Sequence, residues 1–90
     1  MLEREVEIRN ALGLHARAAA QLVRLANHYR STLTLRRSDN GVTANAKSIL
    51  SVLHIAAAYG TTLVVIADGE DGSDALDVIE KLFQDGFGEI

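Results

Sequence analysis

The segment Gly13-Leu14-His15-Ala16-Arg17-Ala18-Ala19-Ala20 sets an imidazole and a guanidinium two residues apart, where a glycine-containing connection gives way to helical spacing. The start of a helix carries backbone N–H groups without intrahelical partners and the positive end of the macrodipole, so an anion is stabilised there. An imidazole adds a nucleophilic nitrogen and a guanidinium adds a forked donor. Together they suit the holding of a phosphoryl group. His15 would accept it, Arg17 would bind its oxygens, and the amides of Ala16, Arg17 and Ala18 would donate to it. An exposed histidine that only caps the helix would occupy the same position, and an arginine there is ordinarily a solvated side chain.

The flanking elements follow from periodicity. Leu2 to Ile8 alternates, with Leu2, Val6 and Ile8 on one face, Glu3, Glu5 and Glu7 on the other and Arg4 as the exception, which predicts a strand. Ala19, Leu22, Val23, Ala26 and Tyr29 recur at helical spacing and predict a helix from Ala16 to about Tyr29. Thr32 to Arg37, the turn cluster Ser38-Asp39-Asn40-Gly41 and Val42-Thr43-Ala44 predict a hairpin. Ser48 is placed to cap a second helix through Ile49, Leu50, Val52 and Leu53, ended by Gly60. The β-branched run Thr61 to Ala67 predicts a buried strand. Ala75, Leu76, Ile79, Leu82 and Phe83 predict a last amphipathic helix. Four strands and three helices covering one sheet face make an α+β two-layer sandwich with the order βαββαβα.

Ninety residues, 48% of them hydrophobic, suit one domain over 1–90. The chain has no cysteine, so a disulfide framework and a thiolate metal site are both excluded. The alternating N-terminus lacks the apolar run of a signal peptide, and no later segment is long and apolar enough to span a bilayer, so a soluble cytoplasmic protein without membrane insertion is expected. A net charge of -3 and four aromatics argue against nucleic-acid binding. The charge is unevenly placed: residues 1–67 hold eight Lys and Arg against four Asp and Glu, whereas residues 68–90 hold one against eight. A basic half of this kind could steer toward an acidic partner protein. His28 and His54 lack metal-ligand spacing, and neither a metal nor a cofactor is expected. Arg24 lies about two helical turns from Arg17 and could extend a basic rim.

The Gly13-Leu14-His15-Ala16-Arg17 core, Asn45-Ala46-Lys47-Ser48-Ile49-Leu50 and Ala67-Asp68-Gly69-Glu70-Asp71, in this order of elements, resemble the HPr family of histidine-containing phosphocarriers of the phosphoenolpyruvate-dependent phosphotransferase system. The resemblance extends over essentially the whole chain. It implies an open-faced β-sandwich with antiparallel strand order 1-4-2-3 and helices on one side. It also implies that Nδ1 of His15 takes a phosphoryl group from phosphorylated Enzyme I and yields it to an Enzyme IIA domain, with Arg17 as companion. The branch served, sugar uptake or nitrogen-related regulation, stays open.

By the same resemblance Ser48 corresponds to a regulatory serine modified by an HPr kinase/phosphorylase, and Ile49, Leu50 and Leu53 to an apolar docking patch. Serine is also a preferred helix cap, which explains Ser48 without regulation. A monomer is expected. The family usually has proline after the arginine; Ala18 stands there instead, which frees φ and adds an N–H. The competing reading is a regulatory interaction module, modified on Ser48, that binds partners without phosphoryl relay.

Overall fold

The computed structural model describes residues 1–89. Its elements are β1 (Leu2–Glu7), α1 (Ala16–Ala26), β2 (Thr32–Arg37), β3 (Thr43–Asn45), α2 (Ile49–His54), β4 (Thr62–Asp68) and α3 (Gly72–Gln84), followed by a short 3-10 turn, Gly86–Gly88. The strands form one antiparallel sheet in the order β1-β4-β2-β3. The open α+β sandwich expected from the sequence is therefore the architecture found.

Register and side-chain alternation explain the layers. Val6 stands opposite Leu63, Leu33 opposite Ala67, and Leu35 opposite both Val65 and Ala44, so the apolar residues of all four strands share one face. That face is buried against Leu22 and Ala26 of α1, Val52 of α2, and Leu76, Ile79 and Phe83 of α3. The β4 expectation needs correction. Its β-branched run reads as wholly buried, but only Leu63, Val65 and Ala67 are buried while Val64 and Ile66 remain half-exposed, because no layer covers the second face. Arg4, the exception in β1, lies at the rim of the helical face. Its guanidinium donates to Asp77 at 3.1 Å and Glu80 at 2.9 Å, tying the strand to α3.

Two helix ends differ from the periodicity. α1 stops at Ala26 rather than near Tyr29, because the Asn27 side-chain amide takes the Val23 carbonyl at 2.8 Å and the amides of His28 and Tyr29 bond three residues back. α2 stops at His54, six residues before the glycine expected to end it. Ala56 takes the left-handed conformation there, with φ of 52°, and Arg37 donates to the carbonyls of Ile55 and Ala56. Gly60, with φ of 86°, belongs to the next turn.

One carboxylate locks the approach to α3 onto the start of β2. Asp71 accepts from the amides of Arg30 (2.8 Å) and Ser31 (2.9 Å) and from the Ser31 hydroxyl. Gly69 must be glycine here, since a Cβ would stand 2.8 Å from Ser31 Cα at a φ of 150°. The Ser31 hydroxyl, then the Arg30 amide, hold the Asp71 carboxyl down to about 2. A carboxyl lowered on folding stabilises the fold fully above its unfolded value of about 4 and loses that contribution as pH falls toward its folded value. Stability against urea should therefore fall between pH 4 and pH 2 more steeply in the parent protein than in Asp71→Asn; equal slopes would contradict this role.

Candidate functional site

The residues around His15 are fixed by the connection that precedes them. Gly13 has φ of 67°, and a Cβ on it would meet the Ala57 carbonyl oxygen at 2.5 Å, so only glycine lets the chain pass. The next amide, Leu14 N–H, donates to that same oxygen at 2.9 Å, and the Leu14 side chain is buried. Downstream, Ala18 and Ala19 pack into the core. His15 is thus held between two anchored segments while its own side chain remains 28% exposed.

His15 is the N-cap of α1, with extended backbone angles of -72° and 179°. Its Nδ1 accepts from the Arg17 amide at 3.3 Å, and its carbonyl receives the Ala19 amide at 2.8 Å. The first turn of α1 holds no acidic residue. It carries Arg17 instead, so the positive end of the helix is uncompensated by its own side chains, a cost that a bound anion would relieve. Ala16 and Arg17 are exposed; Ala18 is fully buried. Among the described residues the Arg17 guanidinium has no hydrogen-bond partner, and it borders an open hollow with Ala11, Leu12, His15 and Glu89.

Two residues of the site escape sequence reasoning. Glu89 Oε2 lies 2.6 Å from His15 Nε2, although 74 positions separate them. Its other oxygen accepts from Asn10 Nδ2 at 3.0 Å, and the same Asn10 amide donates to the Gly13 carbonyl at 2.8 Å. Asn10 is wholly buried. The Asn10 hydrogen bond, then that of His15, lowers the Glu89 carboxyl below its ordinary range. Glu89 reaches the site because Phe87 inserts its ring into the core, edge-on to Phe83 at 5.0 Å, in a left-handed conformation with φ of 56°. A bulky residue there costs on the order of 1–3 kcal/mol, which its burial offsets. In the sequence Asn10 looks like an ordinary turn residue and Glu89 like one more acid of a charged tail; neither carries a local signal.

The other sequence-derived residues lie elsewhere. Arg24 is exposed on α1, seven residues beyond Arg17. Ser48 caps α2, its hydroxyl accepting from the Ser51 amide at 3.4 Å. It sits beside the C-terminal end of α1, since Asn27 donates to the Lys47 carbonyl at 3.2 Å and Lys47 Nζ to the Tyr29 carbonyl at 2.6 Å. The length of α1, about 16 Å for its eleven residues, therefore separates Ser48 from His15. Ile49 is 40% and Leu50 77% exposed, Leu53 is half-buried and Val52 is buried, so α2 presents an apolar outer surface. Leu12, 71% exposed beside His15, adds an apolar residue the sequence did not mark out. Among the described residues no group of acidic residues and histidines could hold a metal, and no helix is long and apolar enough to cross a membrane.

The sequence and the fold have counterparts in known proteins. Residues 2–85 match the family model described as the PTS HPr component phosphorylation site. Phosphocarrier protein HPr of Xylella fastidiosa is 45% identical over 89 residues, covering 99% of this chain and 98% of its own. Phosphocarrier protein NPr of Proteus mirabilis is 42% identical over 86 residues, covering 96% and 94%. The crystal structure of an HPr from Thermoanaerobacter tengcongensis superposes with a TM-score of 0.92 at 32% identity, covering 100% of this chain and 99% of that one.

The Gly13 passage yields a test of how the site is held. Gly13→Ala combines a left-handed φ with a backbone clash and should cost about 2–3 kcal/mol in urea unfolding. It should also displace the His15 ring resonances; an unchanged unfolding midpoint would contradict the packing described.

Proposed function

The chain belongs to the HPr family of phosphocarriers of the phosphotransferase system, and we propose that it relays a phosphoryl group through His15, from phosphorylated Enzyme I to an Enzyme IIA domain. The observation that carries this reading is the imidazole standing on a helix start that has an arginine and no acid in its first turn. Nδ1 attacks the phosphorus while the donor's N–P bond breaks. The oxygens of the arriving group then take the place of Nδ1 as acceptors for the amides of the first turn, and the Arg17 guanidinium binds them from the open side. Dipole contacts of this kind contribute about 0.3–1 kcal/mol each when exposed, small enough for the group to leave again.

The relay is taken to run in the cytoplasm, in a monomer whose 90 residues act as one domain. Docking is assigned to the surface of α2, with Ile49, Leu50 and Leu53 as apolar contacts and Arg24 on the basic rim. Ser48 lies next to Ile49, so a phosphate added there would put negative charge into that surface and weaken docking. The relay serves sugar uptake or nitrogen-related regulation.

Mixed with Enzyme I and phosphoenolpyruvate, the protein should gain the mass of one phosphoryl group in an acid-labile linkage. His15→Ala should abolish the gain, and Arg17→Ala should slow it about tenfold or more. A protein left unlabelled by Enzyme I while a serine kinase modifies Ser48 would replace the relay with the regulatory-module reading.

A further inference from the structure

Both nitrogens of the His15 ring are committed. The Arg17 amide can only donate, so Nδ1 at 3.3 Å must present its lone pair. Glu89, ionised at neutral pH, can only accept, so Nε2 at 2.6 Å must carry the proton. A single neutral tautomer satisfies both contacts. Glu89 is itself held, since Asn10 is wholly buried and its amide nitrogen bridges Glu89 and the Gly13 carbonyl. Asn10 Oδ1 has no hydrogen-bond partner among the described residues, so this amide is oriented by its two acceptors alone. The approach is built from the other side as well. Phe87 adopts its left-handed conformation with its ring in the core, and the Gln21 side-chain amide donates to its carbonyl at 3.3 Å. Glu89 also lies outside residues 2–85, the part of the chain that the family model matches.

We propose that Glu89, steadied by Asn10, is a positioning residue for phosphoryl transfer: it keeps Nε2 protonated, so that Nδ1 is the accepting nitrogen, and balances the charge that transfer puts on the ring. The inference rests on the relay reading of His15. In the step, the Nδ1 lone pair forms the new N–P bond while the N–P bond of a donor phosphohistidine breaks and its electron pair returns to the donor imidazole. No proton leaves His15. The ring therefore gains a positive charge shared with Nε2–H, and the Glu89 carboxylate faces that edge while the phosphoryl group occupies the opposite one. Discharge to an acceptor imidazole reverses the step and restores the neutral ring. The arrangement resembles the carboxylate that orients a catalytic histidine through its second ring nitrogen.

The test compares the full-length protein with Glu89→Gln and Glu89→Ala. Ring 15N NMR reads the tautomer, and the initial rate of labelling by Enzyme I and phosphoenolpyruvate reads the transfer. The parent should show Nε2–H as the dominant tautomer, and Glu89→Ala should show a mixture of the two. Both variants lose the carboxylate charge and should be labelled about tenfold more slowly. Glu89 is five residues beyond the end of α3 and partly exposed, so an unchanged amide spectrum for the rest of the fold is expected and separates this effect from unfolding. Unchanged tautomer, or unchanged rate, in both variants would overturn the inference and leave the relay standing. A parent protein that Enzyme I cannot label would overturn the relay and this role with it, even where the ring spectra still report the Glu89 contact.

Discussion

The amides that begin α1 have no intrahelical partners, and the rest of the site follows from how that need is met. Most helices meet it with an acidic or hydroxyl side chain in the cap or first turn. Here the cap is an imidazole, whose Nδ1 accepts one amide at 3.3 Å, and the first turn contributes an arginine. The helix end is capped well enough to fold and left short of negative charge. In the proposed relay a phosphoryl group would take over these donors from the ring nitrogen, so that capping and phosphoryl acceptance would be two occupancies of one position.

The uneven charge of the chain takes on meaning in the fold. The acidic stretch after residue 67 spends several of its carboxylates on tying the domain together: Asp71 binds the amides before β2, Asp77 and Glu80 bind Arg4, and Glu89 binds Asn10 and His15. Each joins a late segment to an early one, so the closing helix and turn complete the site instead of trailing from it. The basic side chains left exposed include Arg17 and Arg24, both on α1. Their charge would draw a negatively charged partner toward this helix.

Much of this was legible in the sequence because it rests on local rules. Period-two alternation located β1 and β2, the Asn40-Gly41 pair located the hairpin turn, and Ser48 marked the start of α2. Legibility failed where tertiary contacts outweighed local preference. α2 ends at His54, two residues before an alanine in a left-handed conformation, and Arg37 holds that turn by hydrogen bonds that no local signal announces. Val64 and Ile66 belong to a strand whose composition suggests full burial, but exposure is decided by whether a second layer exists. The motif around His15 exposed its own half of the site. Glu89 stayed hidden because it lies 74 positions from His15 and reaches it only once Phe87 enters the core.

In the proposed relay Nδ1 of His15, above the first amides of α1, carries the phosphoryl group. Its most direct test is the 31P–15N coupling in the phosphorylated protein, recorded together with the backbone amide shifts. A coupling to Nδ1 of His15 is expected, with the largest amide displacements at Ala16, Arg17 and Ala18. Coupling to Nε2, or attachment to any other residue, would contradict it.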